Sequence, residues 1–151
     1  MRIAVGADHA GWELKSAVIA WLTGKHIPHL DVSPEPPDPN DDYPDSAAAV
    51  ARSVAGGESD FGIVICGTGV GSCITANKIP GVRAALCTDT FSARHSRLHN
   101  NANVLCLGGR VLGPCLALDI VETWLNTAFS GEPRHQRRLD KLARLECEGD
   151  A

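Results

Sequence analysis

Apolar and polar positions along the 151-residue chain switch repeatedly between two periods. Short runs of β-branched and small apolar residues read as strands: Arg2 to Ala7, Ile27 to Val32, Phe61 to Cys66, Val82 to Cys87 and Val104 to Leu107. Between them, apolar residues recur every three or four positions, the helical spacing. Glu13 to Thr23 is such a segment, with Leu14, Val18, Trp21 and Leu22 on one face. Ser46 to Val54 is a second, closed by Gly56-Gly57. Val70 to Lys78 and the polar stretch Phe91 to Asn100 are the third and fourth. Pro114 to Phe129 opens on a proline suited to a first helical turn, and a basic helix from Arg134 to Glu146 closes the chain. Ser33 to Asp42, with four prolines and four acids, breaks both periods and reads as an exposed loop.

Short, mostly apolar strands alternating with helices predict a parallel sheet covered on both faces. The expected fold is α/β: a three-layer αβα, Rossmann-like, doubly wound arrangement with a five-stranded parallel sheet and an extra C-terminal helix. Such sheets bind ligands beyond the carboxyl ends of the strands, at a topological switch point. Asp8 and His9 follow the first strand, Cys66 to Gly71 the third and Arg110 the fifth, so the polar candidates converge there.

Length and composition narrow the function classes. At 44% hydrophobic, 151 residues supply one sizeable core, and residues 1–151 are expected to form a single domain. A net charge of −4 argues against a general nucleic-acid binder, and no apolar stretch is long enough for a membrane span. No signal peptide is read at Met1, so the expected compartment is the cytoplasm. The six cysteines contain no Cys-x-x-Cys pair; in a reducing compartment they read as small buried hydrophobes, with Cys66 alone expected to be reactive.

Chemistry concentrates at Cys66-Gly67-Thr68-Gly69-Val70-Gly71. The loop is not a dinucleotide fingerprint, since Ser72 occupies the third glycine position, and it has no P-loop lysine. Three glycines beside a thiol favour a cradle of backbone N–H groups, a setting that favours a thiolate and holds a developing oxyanion. The thiol there serves as nucleophile or general base, or simply as the last core residue of its strand. Asp8 reads equally as a helix cap and as a site residue, and His9 is a poor cap. His95 and His99 have the i,i+4 spacing of metal ligands, but no third ligand is evident and no metal is expected. His99, before Asn100 at a helix end, suits proton transfer to a sugar oxygen. Arg134 and Arg138 share a helix face and can grip one phosphate, with Arg110 joining them if the helix reaches a strand end of its own or a neighbouring subunit.

Seven segments stand in the order found in the ribose/galactose isomerase family, whose members include the type B ribose-5-phosphate isomerases. They are Gly6-Ala7-Asp8-His9-Ala10-Gly11, Asp42-Tyr43-Pro44-Asp45, Cys66 to Gly71, Ala76-Asn77-Lys78, His99-Asn100, Gly109-Arg110-Val111 and Arg134-His135-x-x-Arg138. The chain resembles that family over nearly its whole length. The resemblance implies a sugar-phosphate aldose–ketose isomerase without metal or organic cofactor, working through a cis-enediolate; ribose 5-phosphate is the expected substrate, allose or galactose 6-phosphate the alternatives within the family, and a non-catalytic sugar-phosphate-binding module the reading of a different class. It implies Cys66 as the base, Thr68 and the N–H groups of Gly67, Gly69, Val70 and Gly71 around the enediolate oxygen, and His99 for opening the furanose ring. Asp8, His9, Tyr43 and Asn100 match substrate-contacting positions, and Arg110, Arg134 and Arg138 match the phosphate site. Some members place a glutamate base just after the glycine loop; Ser72 stands there in this chain, which implies the cysteine form of the mechanism. The resemblance also implies a cleft completed by a neighbouring chain, in a homodimer or a dimer of dimers. Many members read Gly-Gly-Arg-His before the last arginines, whereas Gly131-Glu132-Pro133-Arg134-His135 stands here; the extra residue and Pro133 bear on the reach of Arg134, and His135 is left out of the expected site.

Overall fold

Parallel pairing orders the five strands of one sheet as β2-β1-β3-β5-β4 in a computed structural model that describes residues 1–33 and 37–148. The strands are β1 (Ile3–Ala7), β2 (His29–Asp31), β3 (Phe61–Cys66), β4 (Ala84–Leu86) and β5 (Val104–Gly108). The helices are α1 (Trp12–Gly24), α2 (Tyr43–Ala55), α3 (Val70–Ala76), α4 (Thr90–Asn100), α5 (Pro114–Leu125) and α6 (Pro133–Glu148). The expected α/β fold is the one found. Pro34, Glu35 and Pro36 of the expected loop lie outside the described residues.

The two-residue period of the strands sorts their side chains into two cores. Ile3, Val5, Ala7, Ile63, Ile65, Leu105 and Leu107 face α1 and α5, where Trp124 is fully buried. Ala4, Val64, Val104 and Cys106 face α2 and α3. Each fully buried aliphatic side chain contributes about 1.5–3 kcal/mol, so both faces hold their helices chiefly by apolar burial. Gly62 lets α2 come close: a Cβ there would lie 2.5 Å from Val50 Cγ1.

The strand order makes β1 and β3 the switch point. From β1 the chain winds outward to β2, and from β3 it winds the other way towards β5 and β4. Helices therefore diverge to opposite faces between β1 and β3, opening a crevice at their carboxyl ends. Asp8-His9 and the Cys66 loop both emerge there.

Several element ends differ from the sequence expectation. β2 pairs only from His29, because the Ile27 N–H is still held by Leu22 O and Pro28 has no N–H. α2 begins at Tyr43 rather than Ser46, since Pro44 is tolerated in its first turn. β4 starts at Ala84 because the Arg83 N–H goes to Asn103 Oδ1 at 2.7 Å. α3 stops at Ala76, where the Asn77 side chain bridges to both the N–H and the carbonyl of Ala84. α5 stops at Leu125, and the chain crosses to α4 with Ser130 N–H on Leu98 O at 3.0 Å. Among the described residues no helix is long and apolar enough to cross a membrane.

One buried charge was not legible from periodicity. Lys15 lies on the apolar face of α1 and is fully buried. Its Nζ donates to Asp31 Oδ2 at 2.8 Å and Ser33 Oγ at 3.3 Å, and sits 3.9 Å from the Trp12 ring centroid. Ser33 Oγ in turn accepts the Ala7 N–H at 2.9 Å, tying the segment after β2 to the end of β1. Lys15→Met keeps the aliphatic stem but leaves Asp31 and Ser33 without their cation. It is expected to lower stability by about 2 kcal/mol, read as a reduced urea midpoint with an unchanged slope.

Candidate active site

Cys66 ends β3 on the face that turns towards α3, the same face as Gly62 and Val64. It is 4% exposed, and its sulfur sits beneath the glycine loop. Gly69 N–H donates to Cys66 Sγ at 3.2 Å. Ser72 Oγ lies 3.3 Å from the same sulfur and 3.1 Å from the Gly69 carbonyl. A hydroxyl so placed donates to a thiolate, or accepts the thiol hydrogen while donating to the carbonyl. Sulfur is thus matched in both of its protonation states.

The loop geometry requires glycine at position 69. Its φ is +79°, and a Cβ would stand 2.5 Å from Leu86 Cδ1 and 2.9 Å from the Leu107 carbonyl carbon. Val70 N–H donates to Thr68 Oγ1 at 3.3 Å. The N–H groups of Gly71 and Ser72, in the first turn of α3, have no intrahelical acceptor. Gly109 N–H on Cys66 O (2.8 Å) and Arg110 N–H on Gly67 O (2.9 Å) clamp the exit of β5 to this loop.

Around it stand the other carboxyl-end candidates. Asp8 is 6% exposed and its Oδ1 accepts the Gly11 N–H at 2.9 Å, closing the turn into α1. His9 Nδ1 lies 2.6 Å from Asp41 Oδ1, which also accepts the His9 N–H at 3.0 Å. The Tyr43 ring rests on Gly71, where a Cβ would come within 2.6 Å of it. A cavity of about 500 Å³ opens between His9, Trp12, Pro37, Pro39, Gly109 and Arg110. Cys66 does not line it; the next residue, Gly67, lies against Ala10 and Arg110 of its wall.

His99, Asn100, Arg134 and Arg138 are elsewhere. α4 ends at Asn100 just before β5 begins, and Asn103 O takes the Gly62 N–H, so the end of α4 lies at the amino edge of the sheet. Five residues of β5 span about 16 Å. That separates the two edges by more than the length of an extended five-carbon sugar phosphate. The one-chain grip combining Arg110 with Arg134 and Arg138 is therefore not formed. Arg134 and Arg138 are exposed on α6, and Arg134 Nε is paired with Glu132 Oε2 at 2.8 Å. The His99 ring lies edge-on to His95 (4.8 Å between centroids) and flat against His135 (4.2 Å, 11°).

Three titrating groups depart from their ordinary values. Cys73 on α3 is pulled down to about 7, chiefly by a hydrogen bond with the Cys106 thiol. The same contact, with burial, pushes Cys106 well up. Burial, with His99 and Arg134 nearby, holds His135 below the ordinary imidazole range.

Three neighbours escaped the sequence reading of the site. Ser72 was read as a non-glycine and as a residue standing in place of a glutamate base, not as a partner of the Cys66 sulfur. Asp41 was one of several acids in a loop whose fold no local rule specifies. His135 was passed over because its burial depends on α6 packing against α4.

Comparison with known proteins places these features in company. Residues 3–142 match the family Ribose/Galactose Isomerase. Over 145 residues the chain is 45% identical to the ribose-5-phosphate isomerase B of Escherichia coli (strain K12), covering 96% of each. It is also 45% identical to a D-erythrulose-4-phosphate isomerase of Pectobacterium atrosepticum, covering 87% of the chain and 86% of the relative. The crystal structure of ribose-5-phosphate isomerase B from Mycoplasma genitalium with bound ribulose-5-phosphate superposes with a TM-score of 0.92. That relative is 44% identical, with 97% of both chains covered.

Proposed function

The chain belongs to the ribose/galactose isomerase family, and from that premise we propose that it interconverts D-ribose 5-phosphate and D-ribulose 5-phosphate through a cis-enediolate. The observation that carries the reading is the Cys66 sulfur held under Gly69 N–H and Ser72 Oγ at the carboxyl end of β3. Cys66 takes the proton from C2 of the open-chain aldose and returns it to C1. Meanwhile a proton passes from the C2 oxygen to the C1 oxygen, so aldehyde and hydroxyl exchange places. Backbone N–H groups of Gly67 and Gly71, with Thr68 beside them, stabilise the enediolate as its charge develops, while Gly69 N–H holds the Cys66 sulfur and Val70 N–H holds the Thr68 hydroxyl. Removing one such donor typically costs about 10²–10³ in rate.

Asp8, His9 and Tyr43 contact the sugar on the Cys66 side, and Arg110 reaches its phosphate. His99 and Asn100, with Arg134 and Arg138 as further phosphate ligands, come from the amino-edge face of a second copy. Both halves thereby meet one substrate in at least a homodimer. Support for this arrangement is the separation of the two clusters within one chain, together with the apolar surface that α6 exposes at Leu142 and Leu145 among the described residues. The phosphate, remote from the reacting carbons, supplies binding energy that orients them.

Gly71→Ala drives a methyl group into the Tyr43 ring and displaces it. Affinity for ribose 5-phosphate is expected to fall about tenfold by calorimetry, with the urea midpoint little changed. Unchanged affinity contradicts the placement of Tyr43 against the sugar.

The P. atrosepticum relative's name favours a second reading, a shorter sugar phosphate as substrate. Turnover of erythrose, ribose, allose and galactose phosphates under one assay decides chain length, since the phosphate grip and Cys66 must be reached together. Highest kcat/KM on ribose 5-phosphate is expected; a preference for a tetrose or hexose phosphate overturns the pentose assignment.

A further inference from the structure

Phe91, His95 and His99 recur at every fourth position of α4, so their rings stack along one face of that helix. Phe91 and His95 are 4.0 Å apart, and His95 meets His99 edge-on at 4.8 Å. A fourth ring, from α6, closes the ladder: His135 lies face to face with His99 at 4.2 Å and 11°. His135 is 3% exposed, yet among the described residues neither of its ring nitrogens has a hydrogen-bond partner, and Glu132 Oε2 is 3.9 Å away. Its neighbours Arg134 and Arg138 point outwards while His135 and Leu139 point inwards, so the helix spends its inward turn on this contact. A buried imidazole that forgoes hydrogen bonds does its work through its ring face.

We infer that His135 is the positioning residue of His99, its flat ring fixing the plane in which His99 is offered to the furanose oxygen. The inference rests on the ring-opening role proposed for His99. Held edge-on by His95 and face-on by His135, the His99 imidazole is fixed against both tilt and rotation about its own bonds. An orienting contact of this kind matters because displacement of a catalytic group by about 1 Å can cost 10²-fold in rate.

Ring opening is read apart from isomerisation by following the exchange of the α and β anomers of ribose 5-phosphate by NMR in the Cys66→Ala background. Adding His135→Leu is expected to slow enzyme-catalysed anomer exchange about 10–100-fold. His135→Phe, which keeps a flat ring and has no ionisable nitrogen, is expected to restore it to within about threefold of the His135 parent. Independently of activity, the His99 Cε1 proton should show the upfield shift of a face-on neighbour in the parent and in His135→Phe, and lose it in His135→Leu. Unaltered exchange in His135→Leu, or equal damage in His135→Phe with its fold and His99 shift intact, overturns the positioning role alone. If Cys66→Ala does not accelerate anomer exchange although the wild type isomerises, both ring opening by His99 and the positioning role fall. If the wild type does not isomerise ribose 5-phosphate, the functional reading itself falls and takes the inference with it.

Discussion

Cys66→Ala is expected to lower the isomerisation of ribose 5-phosphate by about 10²–10⁴-fold, the usual contribution of a positioned acid–base group. Binding of ribose 5-phosphate should survive, because the loop does not depend on the sulfur. Gly69 is held at φ +79° beneath Leu86 and Leu107, and Arg110 N–H and Gly109 N–H clamp Gly67 and Cys66 through backbone atoms. Cys66→Ser is the sharper control. A hydroxyl keeps partners for Gly69 N–H and Ser72 Oγ, yet it gives up its proton far less readily than a thiol, so it should be nearly as inactive as alanine. In both variants solvent deuterium should no longer enter the sugar at C1 or C2. Wild-type turnover in either one removes Cys66 from the mechanism.

The second large effect is at His99. The aldehyde needed for proton abstraction is a minor form of ribose 5-phosphate, most of which is closed through its C4 oxygen. His99→Asn is expected to lower kcat on ribose 5-phosphate about 10²-fold. Comparing kcat/KM in the two directions does not isolate the step, because the overall equilibrium constant fixes their ratio. A tetrose phosphate does isolate it: with its C4 oxygen esterified, erythrose 4-phosphate has no five-membered ring to open. Any turnover of that substrate should therefore survive His99→Asn. Equal losses on the five-carbon and four-carbon substrates contradict ring opening as the role of His99.

How much of this was legible in the sequence follows from the range of the forces involved. Strand and helix identities were readable because β-branched runs and three-to-four spacing are local properties. The switch point was readable as a class of place, since Asp8-His9 and the Cys66 loop each follow a strand directly. The ends of β2 and β4 were not. They depend on Leu22 O capturing the Ile27 N–H and on the Asn103 side chain capturing that of Arg83, contacts between segments distant in sequence. Lys15 belongs to no pattern of the sequence reading, because its burial depends on Asp31 and Ser33 meeting it from β2 and the following loop.

The site divides in the same way. Cys66 and its glycine loop are contiguous, so chemistry and conformation could be read together. The partition of the remaining candidates between opposite edges of the sheet could not, because it requires the direction of α4 relative to β5. His99 and Arg138 look as close to Cys66 in a list of motifs as Arg110 does, and only the fold separates them. Pro133, which bore on the reach of Arg134, turns out to open α6, leaving Arg134 on Glu132 at the surface. An exposed pair of that kind is worth about 1 kcal/mol or less.

Subunit complementation tests the two-copy site most directly. Cys66→Ala and His99→Asn chains, each with little activity alone, are unfolded together, refolded as a mixture and assayed on ribose 5-phosphate. Random pairing makes half of the dimers mixed, and each mixed dimer holds one site with both Cys66 and His99 intact, so about a quarter of wild-type activity is expected. Activity no higher than the sum of the two parents, with mixed dimers present by native mass spectrometry, contradicts a site shared between two chains.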